Sequence, residues 1–224
     1  IHTGRWDRVW MADFGARPQI RTLDAQWQLV PTQGFANPFA SGAAGEARPG
    51  DPVPFNIQVV NDGRRDRVFV LYAISQPDPD DPLAFHAGEE DALDAAAEAA
   101  SGNRPARGRL AEFDLDGRLL RMYEDDGRLN APWGVAIAPD GFGALAGHLL
   151  VGNFGGAGRI CAFDLSTGRY VDDLRDAQDR PVAIPGLWAL QFGNGVALGD
   201  SDALYFAAGP EDETEGLFGS LRLL

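Results

Sequence analysis

No lysine occurs anywhere in the 224 residues. All 19 basic residues are arginine, against 33 acids, which leaves a net charge of -14 and a pI near 4.5. A surface of that sign repels phosphate, so nucleic acid and anionic lipid are not expected as partners. Cysteine is almost absent. Cys161 stands alone, which rules out an intrachain disulfide or a thiolate metal cluster. Its place in an apolar strand pattern marks it as packing. No apolar run reaches the roughly 18 residues that a membrane-crossing helix needs, so membrane insertion is not expected. Histidine is scarce too. His2, His86 and His148 lie outside any nucleophile motif, and the chain has no G-x-S-x-G, no H-E-x-x-H and no phosphate-cradling glycine loop. No catalytic residue is therefore assigned. No signal peptide precedes the first strand pattern and the sequence opens on Ile1, so the expectation is a domain incomplete at its N-terminus.

What the sequence does contain is apolar, at 45%, and repetitive. Moved by 140 positions without a gap, Leu149 to Gly155 falls on Val9 to Gly15, Ile160 on Ile20, and Asp164 on Asp24. Moved by 55, Trp133, Val135 and Ile137 fall on Trp188, Leu190 and Phe192. Leu149, Leu150 and Val151 then fall on Leu204, Tyr205 and Phe206. Moved by 78, Pro54 to Val59 falls on Pro132 to Ile137. Short apolar runs, glycine turns and a repeat of this length are the signature of β-propeller blades.

In chain order the pattern predicts strands at 8–13, 19–24 and 26–30, then a Gly/Ala/Pro-rich loop over 31–52. Period-two alternation of Phe55, Ile57 and Val59 marks the next strand, a turn follows at 61–63, and another strand runs over 68–72. Residues 75–107 interrupt the blade as an insertion. Its prolines oppose ladder bonds, and its Ala/Glu run predicts a short helix over 89–100. Strand structure resumes at 110–114. A complete four-stranded blade spans 130–182, and a last partial one runs from 185 to 221. Apolar-x-x-apolar-Asp occurs at Asp24, Asp114 and Asp164, each followed by a turn, so these aspartates are read as turn caps. The expectation is an all-β fold of four-stranded antiparallel blades, about 14 strands in one domain over 1–224, with one short helical insertion. Such an arc leaves two apolar faces bare. Further blades would cover them in a monomeric ring, and a dimer would cover them if the chain were complete as given.

The stretches NAPWGVAIAPDGFGALAGHLLVGNFG, GRICAFDLSTG, LRDAQDRPVAIPGLWALQFGNG and LYFAAGPEDETEGLFGSL together resemble a bacterial propeller family of uncharacterised function. That family is grouped loosely with NHL-type propellers, and some members carry a PEP-CTERM sorting tail. The resemblance covers nearly the whole chain apart from 75–107. It implies a six-bladed ring in a longer, exported polypeptide, extracellular or periplasmic, of which this chain is similar to the C-terminal part.

Propellers gather function where loops and inner-strand ends converge. The residues placed there are Asn56, Trp133, Asn153, Trp188, Asn194 and Asp13, and they are the candidate ligand-binding set. One reading is a non-catalytic module that binds a protein or glycan partner, with Trp133 and Trp188 stacking on it. The other is a calcium-dependent, lactonase- or esterase-like hydrolase, with a hard cation on Asp13, Asn56, Asn153 and Asn194. Against each stands a plain alternative, in which the amides and carboxylates cap turns and the tryptophans pack one blade on the next. The acidic clusters Asp78/Asp80/Asp81 and Glu211/Asp212/Glu213 match no calcium-loop spacing and are read as solvated loops.

Overall fold

The structure, a computed structural model, describes residues 8–15, 17–77, 85–87, 107–211 and 213–223. These form four antiparallel sheets, taken in chain order as I to IV. Sheet I holds β1 (Val9–Asp13), β2 (Gln19–Leu23) and β3 (Leu29–Val30). Sheet II holds β4 (Pro52–Asn61), β5 (Asp66–Pro77), β7 (Gly108–Phe113) and β8 (Leu119–Met122), with β6 (Phe85–Ala87) paired to the far end of β5. Sheet III is a four-stranded meander of β9 (Pro132–Ile137), β10 (Leu149–Asn153), β11 (Ile160–Phe163) and β12 (Tyr170–Asp173). Sheet IV holds β13 (Leu187–Phe192), β14 (Leu204–Ala208) and β15 (Leu217–Leu221). Apart from β6, this is the expected partition of three, four, four and three strands. The all-β, antiparallel expectation holds across the described residues. The helix expected over 89–100 lies outside them.

Runs such as Leu149-Leu150-Val151 are apolar without alternation because sheet III is buried on both faces. Leu149 and Val151 pack with Phe69, Leu71 and Leu110 of sheet II. Leu150, one residue out of phase, packs with Leu187, Leu190, Leu204 and Phe206 of sheet IV. Strand β5 repeats the device. Val68, Val70 and Tyr72 face Ile20 of sheet I, while Phe69 and Leu71 face sheet III. Each such side chain is worth about 1.5–3 kcal/mol when fully buried, so these runs weld the sheets into one stack.

Side-chain amides add direct ties between sheets II and III. Gln58 Nε2 donates to the Val135 carbonyl at 2.9 Å, and the Val135 N–H donates back to Gln58 Oε1 at 3.1 Å. One side chain thus satisfies both backbone groups of a residue on the neighbouring strand.

Two local expectations shift. The strand expected over 26–30 shortens to β3, because Asp24 Oδ1 accepts the N–H groups of Gln26 and Gln28 and turns the chain first. Trp27 sits in that turn at φ 61°. The break expected at Ser75 comes later. Strand β5 runs on to Pro77, with β6 taking over beside residues 75–77 the edge that β7 covers only as far as Ala73. Proline is tolerated at such a strand end.

The turn caps are where the repeat placed them. Asp114 Oδ1 accepts from the N–H groups of Asp116 and Arg118. Asp164 Oδ1 accepts from the backbone and hydroxyl groups of both Ser166 and Thr167. Asp176 repeats the pattern with Gln178 and Arg180. These donors, the Ser166 hydroxyl foremost, hold Asp164 well below the usual carboxylate range. A depressed carboxylate contributes stability that is complete above its ordinary value of 3.8 and fades as pH falls below it. Asp164→Ala is expected to cost about 1 kcal/mol at pH 7, roughly 2–4 °C in melting temperature for a chain of this size. Thermal melts should show the gap between the two proteins narrowing as pH drops from 4 toward 3.

Candidate functional site

Strands β4, β9 and β13 are the first strands of their sheets, and each neighbours the next. Each also carries a register irregularity near its start. On β4, Pro54 pairs with Tyr72 and Asn56 with Leu71, which leaves Phe55 unpaired between them. On β13, Leu187 pairs with Ala208 and Ala189 with Ala207, which leaves Trp188 out. On β9 the shift falls between Pro132 and Val135, at Trp133 and Gly134. A bulge re-aims the residue it frees. Here it frees an aromatic residue at the same place in three successive sheets.

The freed rings meet. Phe55 and Trp133 pack edge to face with centroids 4.7 Å apart, and Trp133 and Trp188 do so at 4.6 Å. Phe154, just past β10, lies 4.3 Å from Trp188 and 6.5 Å from Phe55. Phe14, its counterpart after β1, lies 6.0 Å from Phe55. Phe55 is buried at the base, while Phe14, Trp133, Phe154 and Trp188 are half-buried. Edge-to-face pairs of this kind add about 0.5–1.5 kcal/mol beyond their buried area. The indole N–H of Trp188 donates to Glu213 Oε1, which sets a carboxylate at the rim of the cluster.

The polar members of the expected set are otherwise engaged. Asn56 Nδ2 donates to the Trp133 carbonyl at 2.8 Å, and Asn56 Oδ1 accepts the Ile57 N–H. Asn153 is wholly buried, its Oδ1 accepting the Asn130 N–H at 2.9 Å and its Nδ2 donating to the Arg128 carbonyl at 3.1 Å. Asp13 takes the Gly15 N–H and pairs with the Arg21 guanidinium. Asn194 Oδ1 caps an exposed turn through Val196 and Leu198. The structure therefore brings Trp133 and Trp188 together with Asn56 beneath them. Asn153 ties β10 to the backbone just before β9, and Asp13 and Asn194 serve their own local backbone. Sequence reasoning gave Phe14, Phe154 and Gln58 no role in the site, read Phe55 only as a strand residue, and read Glu213 as part of a solvated loop. The repeat alignment of Phe55 with Trp133 and Trp188 was the signal that pointed to the cluster.

No family model matches the sequence. The chain is similar to two uncharacterized proteins of Acanthamoeba polyphaga mimivirus. Each is 33% identical to it, over 174 and 218 residues, or 76% and 96% of this chain. The matches take in 40% and 46% of those relatives, so the chain spans less than half the length of the curated relatives it matches. A solved chain titled glucose dehydrogenase aligns with 98% of this chain and 82% of its own length, at a TM-score of 0.38 and 13% identity. Likeness of that degree says nothing about activity.

The donor set does not fit a hard cation. The side-chain oxygens of Asn56, Asn153 and Asn194 accept backbone N–H groups, and Asp13 is neutralised by Arg21. Among the described residues no three His, Cys, Asp or Glu side chains are grouped to hold a metal. Cys161 is buried beside Asp173, and burial pushes its thiol well up, so it is not poised as a nucleophile. Asn153→Ala strands the Asn130 N–H and Arg128 carbonyl, and is expected to cost about 2–3 kcal/mol in urea denaturation. Asn194→Ala, at an exposed turn, should cost about 1 kcal/mol or less in the same assay.

Proposed function

We propose that this chain forms four successive blades of a six-bladed, NHL-like β-propeller within a longer exported polypeptide. It acts there as a non-catalytic binding or scaffold module for a protein or glycan partner. The observation that carries this reading is the division of labour at the aromatic end of the first strands. The polar side chains there hold the protein's own backbone, and what faces outward is a half-buried cluster of Phe14, Trp133, Phe154 and Trp188 with Glu213 beside it. Aromatic faces with a carboxylate at the rim suit a sugar ring or an apolar peptide side chain, which need a stacking surface and one hydrogen-bond acceptor.

The alternative, a calcium-dependent lactonase- or esterase-like hydrolase, needs the oxygens of Asp13, Asn56, Asn153 and Asn194 to turn from their present partners to the ion. Melting curves with millimolar calcium and with chelator separate the two. The binding-module reading expects a difference of about 1 °C or less, whereas a resident ion at saturating concentration adds several kcal/mol. A large calcium-dependent shift, or calcium-dependent hydrolysis of a lactone, would replace this reading with the hydrolase. Tryptophan fluorescence during titration with soluble chito-, cello- and malto-oligosaccharides tests the glycan case. Trp188→Ala should weaken any observed binding about tenfold or more while leaving the far-UV spectrum unchanged.

A further inference from the structure

We infer that the open face of sheet IV is a docking surface for one more antiparallel sheet of the same repeat, carried by the same polypeptide, and that Gln191 grips the first strand of that sheet. The inference rests on the propeller reading and names the contact by which the stack continues.

The repeat supplies the argument. Between sheets II and III, the first strand of one sheet meets the first strand of the next through two positions. Asn56 bonds the Trp133 carbonyl, and Gln58 bonds both the N–H and the carbonyl of Val135. Sheet III meets sheet IV at the counterpart of Asn56, which is Gly134. A Cβ there would lie 2.7 Å from both the Trp188 carbonyl oxygen and the Leu190 nitrogen, so bare backbone makes the same approach. Carried one sheet further, the counterparts of Asn56 and Gln58 are Ala189 and Gln191. Both are exposed, on the face of β13 turned away from sheet III. The face that bonds onward in sheet II therefore presents the same amide in sheet IV.

The surroundings are those of a sheet-to-sheet contact. Gln191 lies in an apolar cleft of about 430 Å³ with Leu198, Tyr205, Ala207 and Phe218. Phe218 is 74% exposed and Leu198 54%. Tyr205 and Phe218 stack on each other with an interplanar angle of 13° and both line the cleft. In sheet III, the corresponding outward face is covered by Leu187, Leu190, Leu204 and Phe206 of the sheet that follows.

The occupant follows from what Gln191 can hold. A carboxamide offers a donor and an acceptor side by side, matching the N–H and C=O of one residue in an extended strand, as Gln58 does with Val135. A glycan would need further hydroxyl partners, and the rest of the cleft wall is mostly carbon. A second copy of this chain is the competing occupant, and dependence of the contact on protein concentration separates it from a continuing polypeptide. The relatives extend well beyond the matched segment, with the chain covering 40% and 46% of their lengths, and so have room for further sheets.

The test compares Gln58→Ala and Gln191→Ala in two proteins, the 224-residue chain and the product of its complete reading frame. In the complete product both substitutions should lower the melting temperature by about 2–4 °C. In the 224-residue chain only Gln58→Ala should. Hydrogen exchange at residues 204–208 and 217–221 should slow at least tenfold in the complete product. Four results would overturn the inference: a silent Gln191→Ala in the complete product, unchanged exchange there, a reading frame that encodes no further sheet, or protection that grows with protein concentration. The last would assign the face to a second copy. None of these readouts depends on whether the aromatic cluster binds a ligand, so failure of the binding reading leaves this test intact.

Discussion

Among the described residues each sheet buries a face on its neighbour, and only the two middle sheets do so on both sides. That one constraint explains features that look unrelated. It is why Leu149, Leu150 and Val151 are consecutive apolar residues, and why β5 runs Val68 to Ala73 without an exposed side chain. It is also why burial fades outward, with β1 half-exposed and β15 mostly exposed. A stack of this kind has no single core. Among the described residues it has three clusters each shared between two sheets and a fourth, around Phe55, that draws on residues of or beside all four, so away from that aromatic end stability is close to a sum over neighbouring contacts. Loss of one contact at an end costs one term, whereas loss at β5 or β10 costs two.

Much of this was legible because a repeat constrains its own reading. Gap-free alignment of Val9–Gly15 with Leu149–Gly155 fixed which strands of sheet I are present, and the three aspartates at equivalent positions fixed the turns. What escaped was whatever the alignment leaves unchanged. A bulge at Phe55, Trp133 and Trp188 adds its extra residue to every copy alike, so the shifts of 78 and 55 stay gap-free and show nothing. The candidate site was legible only in its aromatic half. Asn153 and Asp13 align as a pair, and equivalence was taken as grounds for a shared outward role. The structure shows a shared inward one, each accepting a backbone N–H nearby, with Cys161 or Arg21 as the further neighbour. Sequence alone could not separate those, since both need a short side chain with an oxygen at that spot.

The absence of lysine belongs to the same picture. Several arginines here use two nitrogens at once. Arg175 holds Asp172 through Nε and Nη2, and Arg180 holds Asp176 the same way. Arg67 divides its guanidinium between Asp62 and the buried Glu112. A point charge on a flexible stem cannot make those forked contacts. With 33 acids to 19 arginines, every guanidinium has carboxylates in excess to choose from, and the surplus remains as surface charge. Exposed pairs such as Arg180 with Asp176 add little to stability. Glu112 is different. At 2% exposure it would be costly without Arg67, so that pair is a requirement of the fold more than a gain.

The two joints between first strands differ in chemistry yet deliver the same geometry at the aromatic end. Between sheets II and III, amide side chains span the distance. Between III and IV, a glycine lets the backbones close directly. Yet the ring pairs above them have nearly identical spacing and tilt, 4.7 Å and 81° against 4.6 Å and 86°. If the joints set the spacing, exchanging an amide for a glycine would change it. The constancy points the other way. The bulged aromatics fix how closely successive sheets approach at that end, and the residues below them adapt to fill what remains. The cluster is then a structural keystone before it is a binding surface, and any ligand must use the parts of Phe14, Trp133, Phe154 and Trp188 that the packing leaves half-exposed.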